Sequence, residues 1–226
     1  MRRLRADLHT HTAEDPRDRI NYSAEMLIEA AGQLNIDALA ITCHEAVVHW
    51  ARLAEFAERR GVLLVPGVEL SLEGKHVVVL NPDAEQASAR TFGELRAMGC
   101  RNAAIIAPHP FYPTFHSLGR ELVRNIDLFD GIECSSLYCR GADFNRRARR
   151  VAREFGIPLV GSSDTHGLPY CGSTFTWIEA EPNVAGVIEA LREGRVSVDT
   201  RPLSLAQASV GATNAIRGIV KHLFGS

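Results

Sequence analysis

The chain has 226 residues, 46% of them hydrophobic and 23% charged, with a formal charge of −2. That length builds one large domain or two small ones, and the near-neutral balance excludes a global basic field drawing nucleic acid or anionic membrane. No apolar run approaches the roughly 18 residues of a membrane helix, no apolar signal core follows Arg2-Arg3, and the five cysteines form no C-x-x-C pair, so a cytoplasmic protein without a disulfide framework is expected.

In chain order, apolar strand candidates are Leu4–Asp7, Ala38–Thr42, Leu63–Pro66, His76–Leu80, Ala103–Ala107, Gly131–Cys134, Leu159–Ser163 and Thr174–Ile178. Helical patterns lie between many of them. Ser23 is an N-cap candidate for Ala24–Leu34. Val47–Arg60 is a second helix, and Pro82-Asp83 opens a third that runs to about Met98, where Gly99 stops it. Asp143–Phe155 is strongly amphipathic and ends at Gly156; Val184–Glu193 is shorter. Repeated β-α units imply a parallel sheet with helices outside, and seven or eight strands favour a closed or nearly closed barrel. The barrel is expected over 1–203, with a terminal amphipathic helix at 204–226 packed on the same domain.

Ligand-type residues recur at the strand ends, where such barrels place their chemistry. Asp7-Leu8-His9-Thr10-His11 sets two imidazoles at i and i+2 of a strand, which point the same way and can converge on one ion. His44, Glu69, His109 and Asp164 also end or follow strand candidates; His76 starts one. Any single histidine is more often an ordinary core or surface residue, and His49, His116 and His222 are read that way. The clustering of the other six is what argues for metal.

In order and local sequence, the motifs Asp-Leu-His-Thr-His-Thr (7–12), Ile-Thr-Cys-His (41–44), Pro-Gly-Val-Glu (66–69), Ala-Pro-His-Pro (107–110) and Gly-Ser-Ser-Asp-Thr-His (161–166) resemble the PHP (polymerase and histidinol phosphatase) family over essentially residues 4–200. The resemblance implies an α/β fold, a distorted (β/α)7 barrel with two or three divalent ions (Zn, Mn or Fe) at the C-terminal ends of its strands. By the same resemblance His9 and His11 are the first ligand pair and Glu69 bridges two ions. Asp164 and His166 close the set, His44 and His109 serve the remaining sites, and His76 fits a branch with a histidine soon after the bridging glutamate. Two departures stand out. Cys43 replaces the aspartate of the usual Thr-Asp-His, a change that can retune His44. For the acid expected after the first histidine pair Glu14, Asp15 and Asp18 compete, and Asp15 is preferred although its spacing is one residue off.

Divalent ions clamp phosphoryl oxygens and lower the pKa of bound water toward about 7. The expected activity is therefore a metal-dependent phosphoesterase acting by a hydroxide that bridges the ions. Its substrate is a small phosphorylated molecule: a nucleotide, a short oligonucleotide, or a sugar or histidinol phosphate, with a slight preference for the nucleotides. Asp164 is the candidate proton handler, and His109 or His166 the donor to the leaving alcohol. Arg140, on a loop facing the expected mouth, is the candidate phosphate contact. The arginines at 146–153 read as a solvated helix face, since no aromatic residue interleaves them. The alternatives are an amide or lactone hydrolase on the same site and a non-catalytic binding module. No membrane partner is expected, and nucleic acid only as a short substrate.

Overall fold

A computed structural model describes residues 1–99, 102–139, 143–168 and 172–202. The expected terminal helix at 204–226 lies outside the described residues. The strands are β1 (Arg2–Thr10), β2 (Ala38–Ile41), β3 (Leu63–Leu72), β4 (Lys75–Leu80), β5 (Ala104–Ala107), β6 (Gly131–Ser135), β7 (Leu159–Ser162), β8 (Thr174–Ala180) and β9 (Val196–Thr200). The helices are α1 (Ala24–Gln33), α2 (Ala51–Glu58), α3 (Phe92–Met98), α4 (Arg120–Arg124), α5 (Asn145–Phe155) and α6 (Val184–Arg192). All nine strands form one sheet in the order β7-β6-β5-β4-β3-β2-β1-β8-β9. Among the described residues no helix is long and apolar enough to cross a membrane.

The barrel class agrees with expectation, but the strand count and directions differ. β1, β2 and β3 pair in parallel, as do β5, β6 and β7. Between the two groups, β4 runs antiparallel to both neighbours. It returns from β3 through Glu73 and Gly74, whose φ values are 50° and 80°, a hairpin rather than a crossover. β8 is antiparallel to β1, and β9, which the sequence reading missed, is antiparallel to β8. Alternating polarity hides β9: Ser197 separates its two valines, Asp199 follows them, and it is only half-buried.

The sheet curls around a core of Leu4, Ala6, Leu8, Ala38, Ala40, Val65, Val78, Ile106, Val160 and Ile178. Two further apolar layers lie between the sheet and its helices, one under α1 and α2 and one under α3, α4 and α5. Burial on both faces explains why these strands read as continuous apolar runs. At the seam, His11 N–H donates to the Thr165 carbonyl at 3.2 Å and Asp164 N–H to the His9 carbonyl at 2.9 Å. Gly161 permits that closure: a Cβ there would stand 2.6 Å from the Phe175 carbonyl oxygen and 2.8 Å from Val198. Of the helix signals, Ser23 caps α1 as expected, accepting from Met26 N–H, and Gly156 ends α5 in the left-handed conformation. The second helix is shorter than predicted, so His49 lies before it. The third is a 3-10 turn followed by α3, whose capping box is Thr91 and Glu94.

Candidate metal centre

A β-bulge aims the first histidine pair. Asp7 pairs with Leu39 but Thr10 with Ile41, so β1 carries one extra residue over that step. Leu8 faces the barrel interior, and without the bulge His9 and His11 would face out; with it both turn inward. Glu69 lies two residues before Ser71 on β3, and Ser71 pairs with His76. Glu69 and His76 therefore share the interior face, and the antiparallel course of β4 brings the start of that strand to the same mouth as the other strand ends. His109 and Asp164 follow β5 and β7 with φ of 28° and 49°, left-handed values that cost energy outside glycine and cluster at functional sites.

Four donor atoms form one compact group. His9 Nε2 and His11 Nε2 are 3.2 Å apart. Each lies 3.3–3.5 Å from Glu69 Oε2 and from Asp164 Oδ1. Five of the six edges are 3.2–3.5 Å, two near-equilateral triangles that share the His9–His11 edge, and donors on one tetrahedral Zn2+ stand ~3.3–3.4 Å apart. The residues fit a divalent ion. Glu69 also turns Oε1 to a second group, 2.9 Å from His76 Nδ1 and 3.3 Å from His109 Nε2. A third group stands toward solvent: Asp18 Oδ2 is 3.1 Å from His166 Nε2 and 3.7 Å from His44 Nδ1. His44 Nε2 reaches back to Glu69 Oε2 at 3.1 Å.

Buried carboxylates hold these rings. Asp15 Oδ2 takes His11 Nδ1, His44 Nδ1 and His44 N–H, each at 2.9 Å, while its Oδ1 takes the N–H groups of Arg17 and Asp18. With both oxygens so engaged, Asp15 fixes the tautomer and aim of two imidazoles. Cys43 turns its thiol to Thr12 and stays protonated, since burial pushes it up. Glu133 was missed by the sequence reading. It is fully buried, with Oε1 2.9 Å from His9 Nδ1 and Oε2 accepting the His109 N–H at 2.5 Å. Its signal was available, an acid inside the apolar run Gly131-Ile132-Glu133-Cys134. His116 was also missed: its ring stacks on His76 at 4.5 Å, and its carbonyl accepts the His76 N–H. Arg140 lies outside the described residues. The guanidiniums placed beside the mouth are Arg17 and Arg90, both on Glu45, the residue after His44.

Burial works against charge on every group here, and the partners outweigh it. The carboxylates of Asp164, Glu133 and Glu69 hold His9 well above the usual imidazole value, and those of Asp15, Asp164 and Glu69 do so for His11. The same imidazoles hold Asp164 and Glu69 below the usual carboxylate range. His76 is the exception, pushed down by burial more than Glu69 raises it.

Residues 142–196 match the family described as PHP_C, PHP-associated. The fold is similar to that of a two-domain protein from Bacteroides vulgatus containing a predicted PHP-like metal-dependent phosphoesterase (TM-score 0.65, 19% identity, covering 88% of this chain and 65% of that one). This chain has a PHP-type fold. Two further neighbours in fold are PsfC from Pseudomonas syringae (TM-score 0.67, 21% identity, 96% and 98% covered) and the lesion-specific endonuclease EndoQ from Pyrococcus furiosus (0.59, 15%, 87% and 58%). In sequence, 99 residues are 36% identical to the error-prone DNA polymerase of Nocardia farcinica, 44% of this chain but only 8% of that relative.

Proposed function

We propose that this PHP-type barrel is a metal-dependent phosphoesterase whose substrate is a nucleotide or short oligonucleotide. The observation that carries the reading is the close approach of His9, His11, Glu69 and Asp164, with Glu69 shared between that group and the His76–His109 group. His9, His11, Glu69 and Asp164 would hold one divalent ion, and Glu69, His76 and His109 a second. His44 would join them through Nε2, beside Glu69 Oε2, and Asp18 with His166 would make a weaker third site at the rim, with Asp15 steadying His11 and His44. Zn, Mn or Fe suits such mixed donors. Bound there, divalent ions acidify water and draw charge off phosphoryl oxygens.

The chain's own groups supply the rest. Asp164 is ionised at neutral pH and gives Oδ1 to the interior donors, which leaves its other oxygen to accept a hydrogen bond from attacking water and so orient it. Of the two candidate acids, His109 is held by Glu69 and almost buried, whereas His166 is 36% exposed with Nε2 on Asp18. His166 is therefore the group placed to protonate a leaving alkoxide in the two-ion state, in which its Nε2 carries no metal. Arg17 and Arg90, tethered by Glu45, can receive non-reacting phosphate oxygens. The nucleotide preference draws support from the polymerase and the endonuclease among the similar proteins.

The test is phosphate release from nucleotides, sugar phosphates and histidinol phosphate, and shortening of labelled oligonucleotides, by the Mn- or Zn-reconstituted protein, beside Asp164→Asn. Hydrolysis that the variant abolishes supports the reading. Confirmed metal with no phosphoester hydrolysed, but with an amide or lactone cleaved, would replace it.

A further inference from the structure

The arginine run of α5 acquires in three dimensions what it lacks in sequence. Phe144 closes the N-terminal end of the helix, and its ring lies 5.3 Å from that of Tyr112, which lies 6.5 Å from His109. Arg147 stands 4.4 Å over the ring of Phe111. The loop after β5 thus delivers aromatic rings to the first turn of α5, forming a continuous path from the metal centre to the helix. Phe144 is 42% exposed.

Beyond the rings, Arg146, Arg147, Arg150 and Arg153 are all exposed. Their i, i+1, i+4, i+7 spacing puts them on one face. Arg149, on the inner side, is paired with Asp143, and the exposed Arg90, Arg96 and Arg124 each face a carboxylate. Among the described residues, none of the four on the outer face of α5 has a carboxylate within salt-bridge distance. Four uncompensated guanidiniums in line with an aromatic step match a polyanion that also carries flat rings. An acidic peptide or anionic membrane would use the charge but not the rings.

We infer that the Tyr112–Phe144 step and the outer face of α5 bind the strand of a single-stranded oligonucleotide that extends from the metal centre. The inference rests on the phosphoesterase reading and names its substrate class. Eleven helical residues span ~16 Å, on the order of five phosphates at the spacing of a stacked strand.

The experiment measures anisotropy of a labelled dT12 on the full chain, with chelator present so that binding is separated from cleavage. Arg146→Gln/Arg150→Gln/Arg153→Gln should weaken binding at least ~10-fold and lower the log–log salt slope by about 2, for three lost phosphate contacts. Phe144→Ala should weaken it ~10-fold by removing one stacked base. Arg2→Gln/Arg52→Gln/Arg59→Gln removes the same charge from other exposed positions and should leave binding unchanged. Equal loss in both triple variants overturns the inference, as does tighter binding to phosphatidylserine vesicles or poly-glutamate than to dT12, or no binding at 50 mM salt. Binding with neither phosphate release from any substrate nor shortening of the oligonucleotide once metal is restored leaves the surface standing and removes the phosphoesterase reading. Release from small phosphoesters without dT12 binding does the reverse.

Discussion

The inner donor group and the rim group are built from the same residue types but differently. His9, His11 and Glu69 are almost wholly buried, their donor atoms nearly equidistant, and the imidazole Nδ1 of each histidine is held by a carboxylate. At the rim, Asp18 and His166 are about two-fifths exposed and rest mainly on each other. Inside, donors are preorganised by strand registers that the whole barrel enforces; outside, they depend on a loop. Preorganisation lowers the cost of binding, so the inner group should bind first and tightest, and the rim should be tunable without losing it.

Glu69→Gln attacks the comparison at its strongest point, because one residue serves two groups. It is expected to remove at least one equivalent of metal by mass-spectrometric metal analysis and to lower phosphate release by ~1000-fold or more. Full metal content in this variant would mean that the inner group is not the main site. Glu133→Gln comes next. A glutamine oxygen can serve His9 or the His109 N–H but not both, and inner-site affinity should fall ~10–100-fold, the usual cost of losing such a support. Unchanged affinity would make Glu133 a bystander.

His166→Asn should leave the inner metal in place while reducing turnover ~100-fold, read by metal analysis beside phosphate release. Loss of metal from the inner group in this variant would erase the distinction between the two regions. A pH series sharpens it further. The carboxylates beside His9 and His11 hold both above the ordinary imidazole value in the metal-free protein and so favour ring protons. Metal must displace them, hence loading should release protons and affinity should rise with pH, as titration calorimetry in buffers of different ionisation enthalpy would read. Uptake without proton release contradicts that picture. The smallest effect is expected at the seam: Gly161→Ala forces a methyl against β8 and should cost about 1–3 kcal/mol in denaturant melts.

Much of this was legible in the chain. The ordered motifs gave the barrel class, and His9, His11, His44, Glu69, His76, His109, Asp164 and His166 do converge at one mouth. The reasons for the misses are physical. An all-parallel reading made His76 look misplaced, because a hairpin and a crossover leave the same apolar strands. Glu133 passed as part of a buried strand, since nothing local reveals that its partners come from β1 and the loop after β5. Asp15, preferred among three competing acids although its spacing is one residue off, does join the centre, standing with Asp18 and His44 while its oxygens take up two rings and three amides.

By itself, the sequence determined which residue types were available and roughly where each strand would end, because apolar runs and turn residues are local properties. Only the tertiary structure decided which atoms face one another. The bulge in β1, the reversal of β4 and the contact of Tyr112 with Phe144 each depend on pairing between segments far apart in the chain. A ligand geometry read to a tenth of an ångström comes from those pairings and not from the order of residues along the backbone.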